Sequence, residues 1–406
     1  MMAAVEQSKT MKWTERYPEV GTGPLPVAPY TSRDYFDKER ELIFRKVWLN
    51  VGRVEQIPNP GDYFVKELAI CNTSILVVRG KDGAVRAFHN MCSHRGNQLV
   101  WDDKGHCSVF ACKFHGWVYG TDGRLRHVTD EESFFDLDKS KLGMSKVSLD
   151  TWQGFIFINC DEQPTESLHD YLGVDLQASI EGYPFDKLSG NCFSWYTDLN
   201  ANWKVAFDAF AEIYHIPTLH KRIIGKVYSS PSNPWAHALD FTLFGKHARV
   251  SLSANPDWQP TPVETVAGQF GDVVLQQVNT DEAAFPAGVN PTGYPNWSFD
   301  GISIFPNCLI YVSQGTYLTH LFWPLAEDRC RWEIRTYAPP ADTLAGRFAQ
   351  EYGKCTFRDT LLEDGSTLER TQKMLMSGVK KEFYLQDQEL VLRHRLKVAE
   401  GYINAG

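Results

Sequence analysis

No stretch of the 406 residues stays apolar for the ~20 positions that a transmembrane helix needs. Met1–Lys12 lacks the apolar core of a secretory leader. The nine cysteines are an odd number. Seven of them (Cys71, Cys107, Cys160, Cys192, Cys308, Cys330 and Cys355) are scattered with no disulfide framework, as suits a reducing compartment. A soluble, cytoplasmic protein is the expectation. There is no basic stripe either: 41 Lys and Arg are interspersed with 50 Asp and Glu for a net charge of -9, which argues against a nucleic-acid binder. No glycine-rich nucleotide fingerprint is present, so the chain is not expected to bind a dinucleotide itself. Internal repeats and low-complexity tails are also missing.

Apolar residues make up 43% and aromatics 13%, and the length favours two domains over one core. The distinctive stretch reads Cys92-Ser-His94-Arg-Gly96, a spacer, then Cys112-Lys-Phe-His115-Gly116-Trp117. Each short segment offers one thiolate and one imidazole. Thiolates hold iron–sulfur clusters, and two imidazoles in place of two thiolates on one iron make a Rieske [2Fe–2S] centre. Each loop would then give its Cys to one iron and its His to the other. Zinc accepts the same residue types, but zinc fingers pair Cys with Cys and His with His along the chain. Here the types alternate. The pattern resembles the Rieske domain of the non-haem iron ring-hydroxylating oxygenase α subunits. Rieske proteins of respiratory complexes carry an extra cysteine in each loop, and neither loop has one here.

The first 30 residues are rich in Pro and Gly, and Thr31 or Ser32 would cap a helix running to Trp48. Short strands follow at Tyr63–Leu68, Ile75–Arg79 and Val85–His89, with turns at Lys81-Asp82-Gly83 and Asp122-Gly123. Trp152–Cys160 reads as one buried closing strand. The expected organisation is an arm and helix at 1–45 packing on the catalytic domain, an all-β Rieske domain at 46–162, and a catalytic domain at 163–406. Within the last, helices are expected at Leu168–Leu172 and Val205–Tyr214. Residues 254–298 read as a long loop over the substrate entrance, with Trp258, Phe270 and Phe285 as its candidate contacts. Strands at Ile302–Phe305, Leu309–Ser313, Tyr317–Trp323 and Arg331–Tyr337 should form an antiparallel sheet. Helices at Leu344–Phe357, Thr367–Met376 and Phe383–Glu400 should close the fold.

Asn202-Trp203-Lys204 opens a second motif that continues through Asp208, Glu212, Tyr214, His215 and His220. Asp208, Glu212 and His215 fall at i, i+4 and i+7, one face of a helix. Pro217 disfavours helix at Ile216, so a bend there would bring His220 round. Two His and a carboxylate with open positions make the facial triad of non-haem Fe(II) oxygenases. Two helix histidines satisfied by hydrogen bonds are the plain alternative. The segment is similar to the mononuclear-iron motif of the same family. That resemblance implies a third ligand, an aspartate in an acidic turn before a downstream helix. Ser366 and Glu369 form a capping-box pattern that leaves Asp364 just outside such a helix, making Asp364 the expected ligand, with Glu363 and Asp359 as fallbacks. Glu212 stands at the bridging position where many ring hydroxylases carry Asp, while relatives acting on quaternary amines also carry Glu. Asp208 stands where relatives often have Asn, and either faces the iron pocket or is a surface acid. These two are the candidate catalytic residues. His89, His106, His127, His169, His237, His247, His320 and His394 have no ligand spacing and read as structural.

The resemblance thus implies an α+β protein: a Rieske domain holding [2Fe–2S] on Cys92, His94, Cys112 and His115, and a helix-grip domain holding Fe(II) on His215, His220 and Asp364. It implies a terminal oxygenase that uses O₂ to hydroxylate an aromatic or other apolar small molecule. Electrons from NAD(P)H would come through a separate reductase, with or without a ferredoxin. The expected assembly is a homotrimer, with a β subunit left open. In it the Rieske centre of one subunit serves the iron of the next, with Glu212 bridging His115 and His215. N- or O-demethylation, including of quaternary amines, is the alternative within enzymes, and an electron carrier without oxygenase activity is the alternative outside them.

Overall fold

The computed structural model describes residues 12–270 and 287–405. The chain forms two compact units, one gathering residues up to Lys38 with those from Leu172 on, the other running Glu39–Tyr171. The second is therefore an insertion in the sequence of the first. Its limits lie outside the expected 46–162, for local reasons. The helix after Ser32, α1 (Arg33–Glu39), continues as a π-helical turn at Arg40–Phe44. Arg40 and Arg45 donate to the carbonyls of Ile70 and Cys71 at 2.7 and 2.9 Å, committing this segment to the inserted unit. At the far end Trp48 Nε1 donates to the Glu166 carbonyl at 3.1 Å. The helix ends short of Trp48.

Ahead of α1 the main unit has β1 (Leu25–Pro26). The inserted unit is all-β. It contains β2 (Leu49–Arg53), β3 (Asp62–Leu68), β4 (Thr73–Arg79), β5 (Val85–His89), β6 (Lys104–His106), β7 (Val109–Ala111), β8 (Val118–Gly120), β9 (Leu125–His127), β10 (Lys146–Trp152) and β11 (Phe155–Asn159). A seven-stranded sheet runs β2-β11-β10-β5-β4-β3-β6, and a three-stranded one runs β7-β8-β9. Asp82-Gly83 turns β4 into β5, with Gly83 at φ 81°, a left-handed conformation that Gly adopts without cost. The expected strand Trp152–Cys160 is instead the second half of a hairpin. Gln153 (φ 50°) and Gly154 (φ 80°) form its two-residue turn, and Trp152 pairs with Phe155.

The main unit holds β12 (Asn191–Leu199), β13 (Asp240–Phe244), β14 (His247–Ser253), β15 (Trp297–Ile304), β16 (Cys308–Val312), β17 (Tyr317–Ala326), β18 (Arg329–Ala338) and β19 (Glu382–Phe383). Seven of these form an antiparallel sheet in the order β12-β18-β17-β16-β15-β14-β13, and β19 pairs with β1. Strands β15 and β16 are buried at every position, so both faces of the sheet are covered there. The unit's helices include α2 (Trp203–Phe210), α3 (Ile216–Leu219), α4 (Pro262–Phe270), α5 (Leu344–Leu375) and α6 (Leu390–Ala405). Helix α2 packs on β17, β18 and α5, and α6 packs on β14.

Four expectations change here. The expected loop at 254–298 contains α4 and the start of β15, and Phe285 lies outside the described residues. The two helices expected between Leu344 and Met376 are the single helix α5, and the last helix begins at Leu390. Within α5 the Ser366 and Thr367 hydroxyls turn back to the carbonyls of Glu363 and Asp364 at 2.7 and 2.8 Å. A side chain bonded three residues back does not start a new helix. Asp364 thus sits inside a helix, not just outside one.

Candidate functional site

The two Cys–His loops of the inserted unit repeat one turn. Gly96 N–H donates to the Cys92 carbonyl at 3.0 Å and Gly116 N–H to the Cys112 carbonyl at 2.9 Å. Cys92 N–H and Cys112 N–H each donate at 2.8 Å to the carbonyl five residues on, Asn97 and Trp117. Both glycines take positive φ, and a Cβ on Gly116 would lie 2.7 Å from Thr129 Oγ1. The requirement for glycine in each motif is therefore conformational, and at Gly116 also steric. These turns sink both sulfurs into the core with Tyr119 and Trp117 and leave both histidines half-buried.

The four side chains are related in two pairs, imidazole with imidazole and thiol with thiol. The imidazoles of His94 and His115 lie 4.7 Å apart, centroid to centroid, and His94 stacks on Trp117 at 4.9 Å. The two thiols affect each other's ionisation. Burial pushes the Cys92 thiol up, against a Tyr119 hydroxyl 3.2 Å from its sulfur. Burial acts on Cys112 in the same sense but is outweighed: the N–H groups of Phe114 and His115 and the Asn97 amide hold this thiol below its usual range. His94 Nδ1 is buried with no hydrogen-bond partner among the described residues. Paired sulfurs beside paired imidazoles, one with an orphaned nitrogen, fit the donor set of a two-iron cluster.

In the main unit Asn202 caps α2, its side chain accepting from Lys204 N–H at 2.9 Å, while its own N–H donates to Gln372 on α5 at 3.0 Å. Helix α2 then ends at Phe210, before Glu212, so Asp208, Glu212 and His215 do not share one helix as the spacing suggested. The Glu212 carboxylate accepts from the N–H groups of Tyr214 and His215 and shapes the break. Pro217 lies in the first turn of the short helix α3, where it lacks no hydrogen bond. His215 and His220 flank α3, which turns both rings to one point.

At that point His215 Nε2 and His220 Nε2 face each other at 3.2 Å. Asp364 Oδ1 lies 3.4 Å from the first and 3.2 Å from the second, yet no hydrogen bond from the described residues reaches it. The outer nitrogens are both occupied: His215 Nδ1 contacts Glu212, and His220 Nδ1 lies 2.8 Å from Glu363 Oε2. Burial alone would lower the His215 imidazole, but Glu212 and Asp364 raise it, a measure of the negative field at the site. Two imidazole nitrogens and a carboxylate oxygen converging in a buried space fit a divalent cation. Among the described residues this trio is the one such cluster of His, Cys, Asp and Glu. The fallback Glu363 is a support for His220, and Asp359 is exposed and paired with Arg358. Partnership between Glu363 and His220 had no sequence signal beyond adjacency to Asp364.

A cavity of about 70 Å³ adjoins the trio, walled by Phe210, Ile213, Phe299, Tyr311, His320 and Phe357 among others. Asp208 is not part of that wall. Its carboxylate accepts from Tyr30 Oη at 2.7 Å and from Arg395 of α6, making it neither a pocket acid nor a surface one. Burial pushes this carboxyl up, and Arg395 and Tyr30 oppose the shift. Trp258 and Phe270 also stay off the wall.

Family comparison agrees with this architecture. The Rieske [2Fe-2S] domain model matches residues 47–144, and the ring hydroxylating alpha subunit (catalytic domain) model matches 189–404. The carnitine monooxygenase oxygenase subunit of Escherichia coli K12 is 34% identical over 196 residues, 48% of this chain and 52% of that one. The benzene 1,2-dioxygenase subunit alpha of Pseudomonas putida is 33% identical over 229 residues, 55% of this chain and 49% of that one. The chain thus matches about half the length of these relatives. Among solved structures, a quaternary ammonium Rieske monooxygenase superposes with TM-score 0.75 at 22% identity, over 95% of this chain and 97% of that one. Naphthalene 1,2-dioxygenase from Rhodococcus sp. also gives TM-score 0.75, at 20% identity over 94% of each chain. With a Rieske domain inserted ahead of a catalytic domain that matches over half its length, the chain belongs to the ring-hydroxylating alpha-subunit family, whose cofactors are a Rieske [2Fe–2S] cluster and a mononuclear iron.

Proposed function

We propose that this chain is the terminal oxygenase component of a Rieske non-haem iron system that hydroxylates an aromatic or other apolar small molecule. The observation that carries the reading is the convergence of His215 Nε2, His220 Nε2 and Asp364 Oδ1 beside an apolar cavity. When bound, the cluster supplies electrons one at a time and the iron supplies O₂ activation. Cys92, His94, Cys112 and His115 hold the cluster in this reading, and His215, His220 and Asp364 hold the iron. Glu212 and Glu363 fix the two iron-side imidazoles by accepting at Nδ1, which aims each Nε2 inward. Aromatic and aliphatic side chains exclude water from the cavity and keep the substrate against the ligand trio. An electron carrier would need neither the trio nor the cavity.

Reducing power would come from NAD(P)H through a separate reductase, with or without a ferredoxin, and the assembly would be a homotrimer. The test is direct. Purified protein should contain iron beyond the cluster's two, and labelled O₂ with a compatible reductase should place label in a product from an arene panel. His215→Ala should lose that extra iron and the product while keeping the cluster spectrum. Full iron and turnover in His215→Ala would defeat the assignment.

A second reading, N-dealkylation or hydroxylation of a quaternary amine, is favoured by the aromatic rings on the wall, including Phe210, Phe299, Tyr311 and Phe357. Aromatic faces attract a quaternary ammonium. Release of formaldehyde from an N-methyl substrate, with no arene product, would select it.

A further inference from the structure

His320 lies on β17, wholly buried, and lines the cavity beside the ligand trio. On the neighbouring strand Trp332 Nε1 donates to His320 Nδ1 at 3.0 Å. An indole N–H can only donate, so Nδ1 is the bare nitrogen and the proton of the neutral ring sits on Nε2. Burial keeps the ring neutral by pushing its pKa down to about 3. Phe210 stacks on it at 5.0 Å and Tyr311 tilts against it at 5.2 Å, which fixes the ring plane. Nε2 is nevertheless buried with no hydrogen-bond partner among the described residues. Buried donors left unpaired are rare and costly, and this one belongs to a residue that lines the cavity.

The hydroxyls on the described part of the wall have partners of their own. The Tyr311 hydroxyl donates to the Phe210 carbonyl, and Thr360 Oγ1 donates to the Thr356 carbonyl at 3.0 Å. Glu212 and Asp364 face the imidazoles. No Lys or Arg is among the described lining residues, so nothing there would neutralise a carboxylate.

We propose that His320 orients the substrate, its Nε2–H donating to one neutral oxygen (carbonyl, ether or hydroxyl) on an otherwise apolar, ring-sized molecule. The proposal rests on reading the cavity as the oxygenase substrate site. It extends that reading by assigning a specificity residue that sequence spacing left as structural.

The test needs no turnover. Benzaldehyde and toluene, similar in size and different in the carbonyl oxygen, are titrated calorimetrically into the holoenzyme under argon without reductant. His320→Phe keeps a ring in the stack and removes the donor. The Kd ratio of toluene to benzaldehyde should fall roughly five- to tenfold in this variant, with iron content and cluster absorbance unchanged. An unaltered ratio would overturn the proposal. If His320→Phe does not fold, crystals of the unmodified holoenzyme soaked with benzaldehyde decide: the aldehyde oxygen should lie within hydrogen-bond reach of His320 Nε2, and a pose with that oxygen elsewhere overturns it. Because binding is read without O₂, a failure of the oxygenase reading would register separately, as absence of labelled product.

Discussion

At the scale of single residues, two adjacent carboxylates on α5 divide the work. Asp364 points at the two Nε2 atoms, whereas Glu363 engages His220 from behind. Asp364→Ala should abolish mononuclear iron binding. Glu363→Gln keeps an acceptor but loses charge, and should weaken iron retention about tenfold. Iron quantified after a chelator challenge checks both, with cluster absorbance as the internal standard. Equal retention in the two variants would contradict the division. Glu389 carries a different forecast. Burial, together with the charges of Glu212 and Asp208, raises its carboxyl to about 7, against an Arg393 charge and the Gln386 N–H that lower it. The native state therefore binds this proton more tightly than the unfolded chain. Its stabilising contribution is complete below the unfolded value near 4.5 and is lost as pH rises through about 7. Glu389→Gln removes that loss. It should raise stability by about 1 kcal/mol at pH 8, allowing for partial solvent screening, and by almost nothing at pH 4. Thermal melts at the two pH values measure it.

Elements were legible to different degrees. Strands β15 to β18 could be read because β-branched and aromatic runs are separated by short turns, and the Asp-Gly hairpins because their chemistry is specific. Helix α5 could not, since Asp-Gly-Ser-Thr is also turn chemistry, and tertiary packing, on α2 and α4 among others, overrides it. The break after Phe210 escaped too. Periodicity carries the helix onward, while the Glu212 carboxylate's bonds to Tyr214 and His215 stop it. For the site, residue types and spacing announced the ligand candidates. The supports Glu363 and Trp332 have no spacing signature, because their partners come from other elements. Within α5 a testable weakness follows. Gly365 is helical, and a Cβ there would meet nothing within 4 Å. Gly365→Ala should stabilise the protein by about 0.5–1 kcal/mol, read as a higher denaturant midpoint with unchanged iron content. Destabilisation would mean that the helix needs glycine's freedom at this point.

For the whole molecule, the proposed trimer makes a prediction about electron routing. A cluster-dead Cys112→Ala chain and an iron-dead His215→Ala chain should each be inactive, yet mixed trimers should regain activity if the route crosses between subunits. Inactive mixed trimers, verified by mass spectrometry, would defeat that route. In the same scheme Glu212→Gln keeps both metal centres and slows reduction of the iron. The chain's layout has a further consequence, for synthesis. Asp208 joins Tyr30, which precedes the inserted unit, to Arg395, which comes long after it. On the ribosome the inserted unit, ending at Tyr171, is finished while α6 is still to be made. Domains generally fold as they emerge, so the cluster loops can reach their native turns first. Residues around Tyr30 must meanwhile wait for partners from the far end of the chain. Cluster insertion could then begin during translation, whereas the iron site is left to form last.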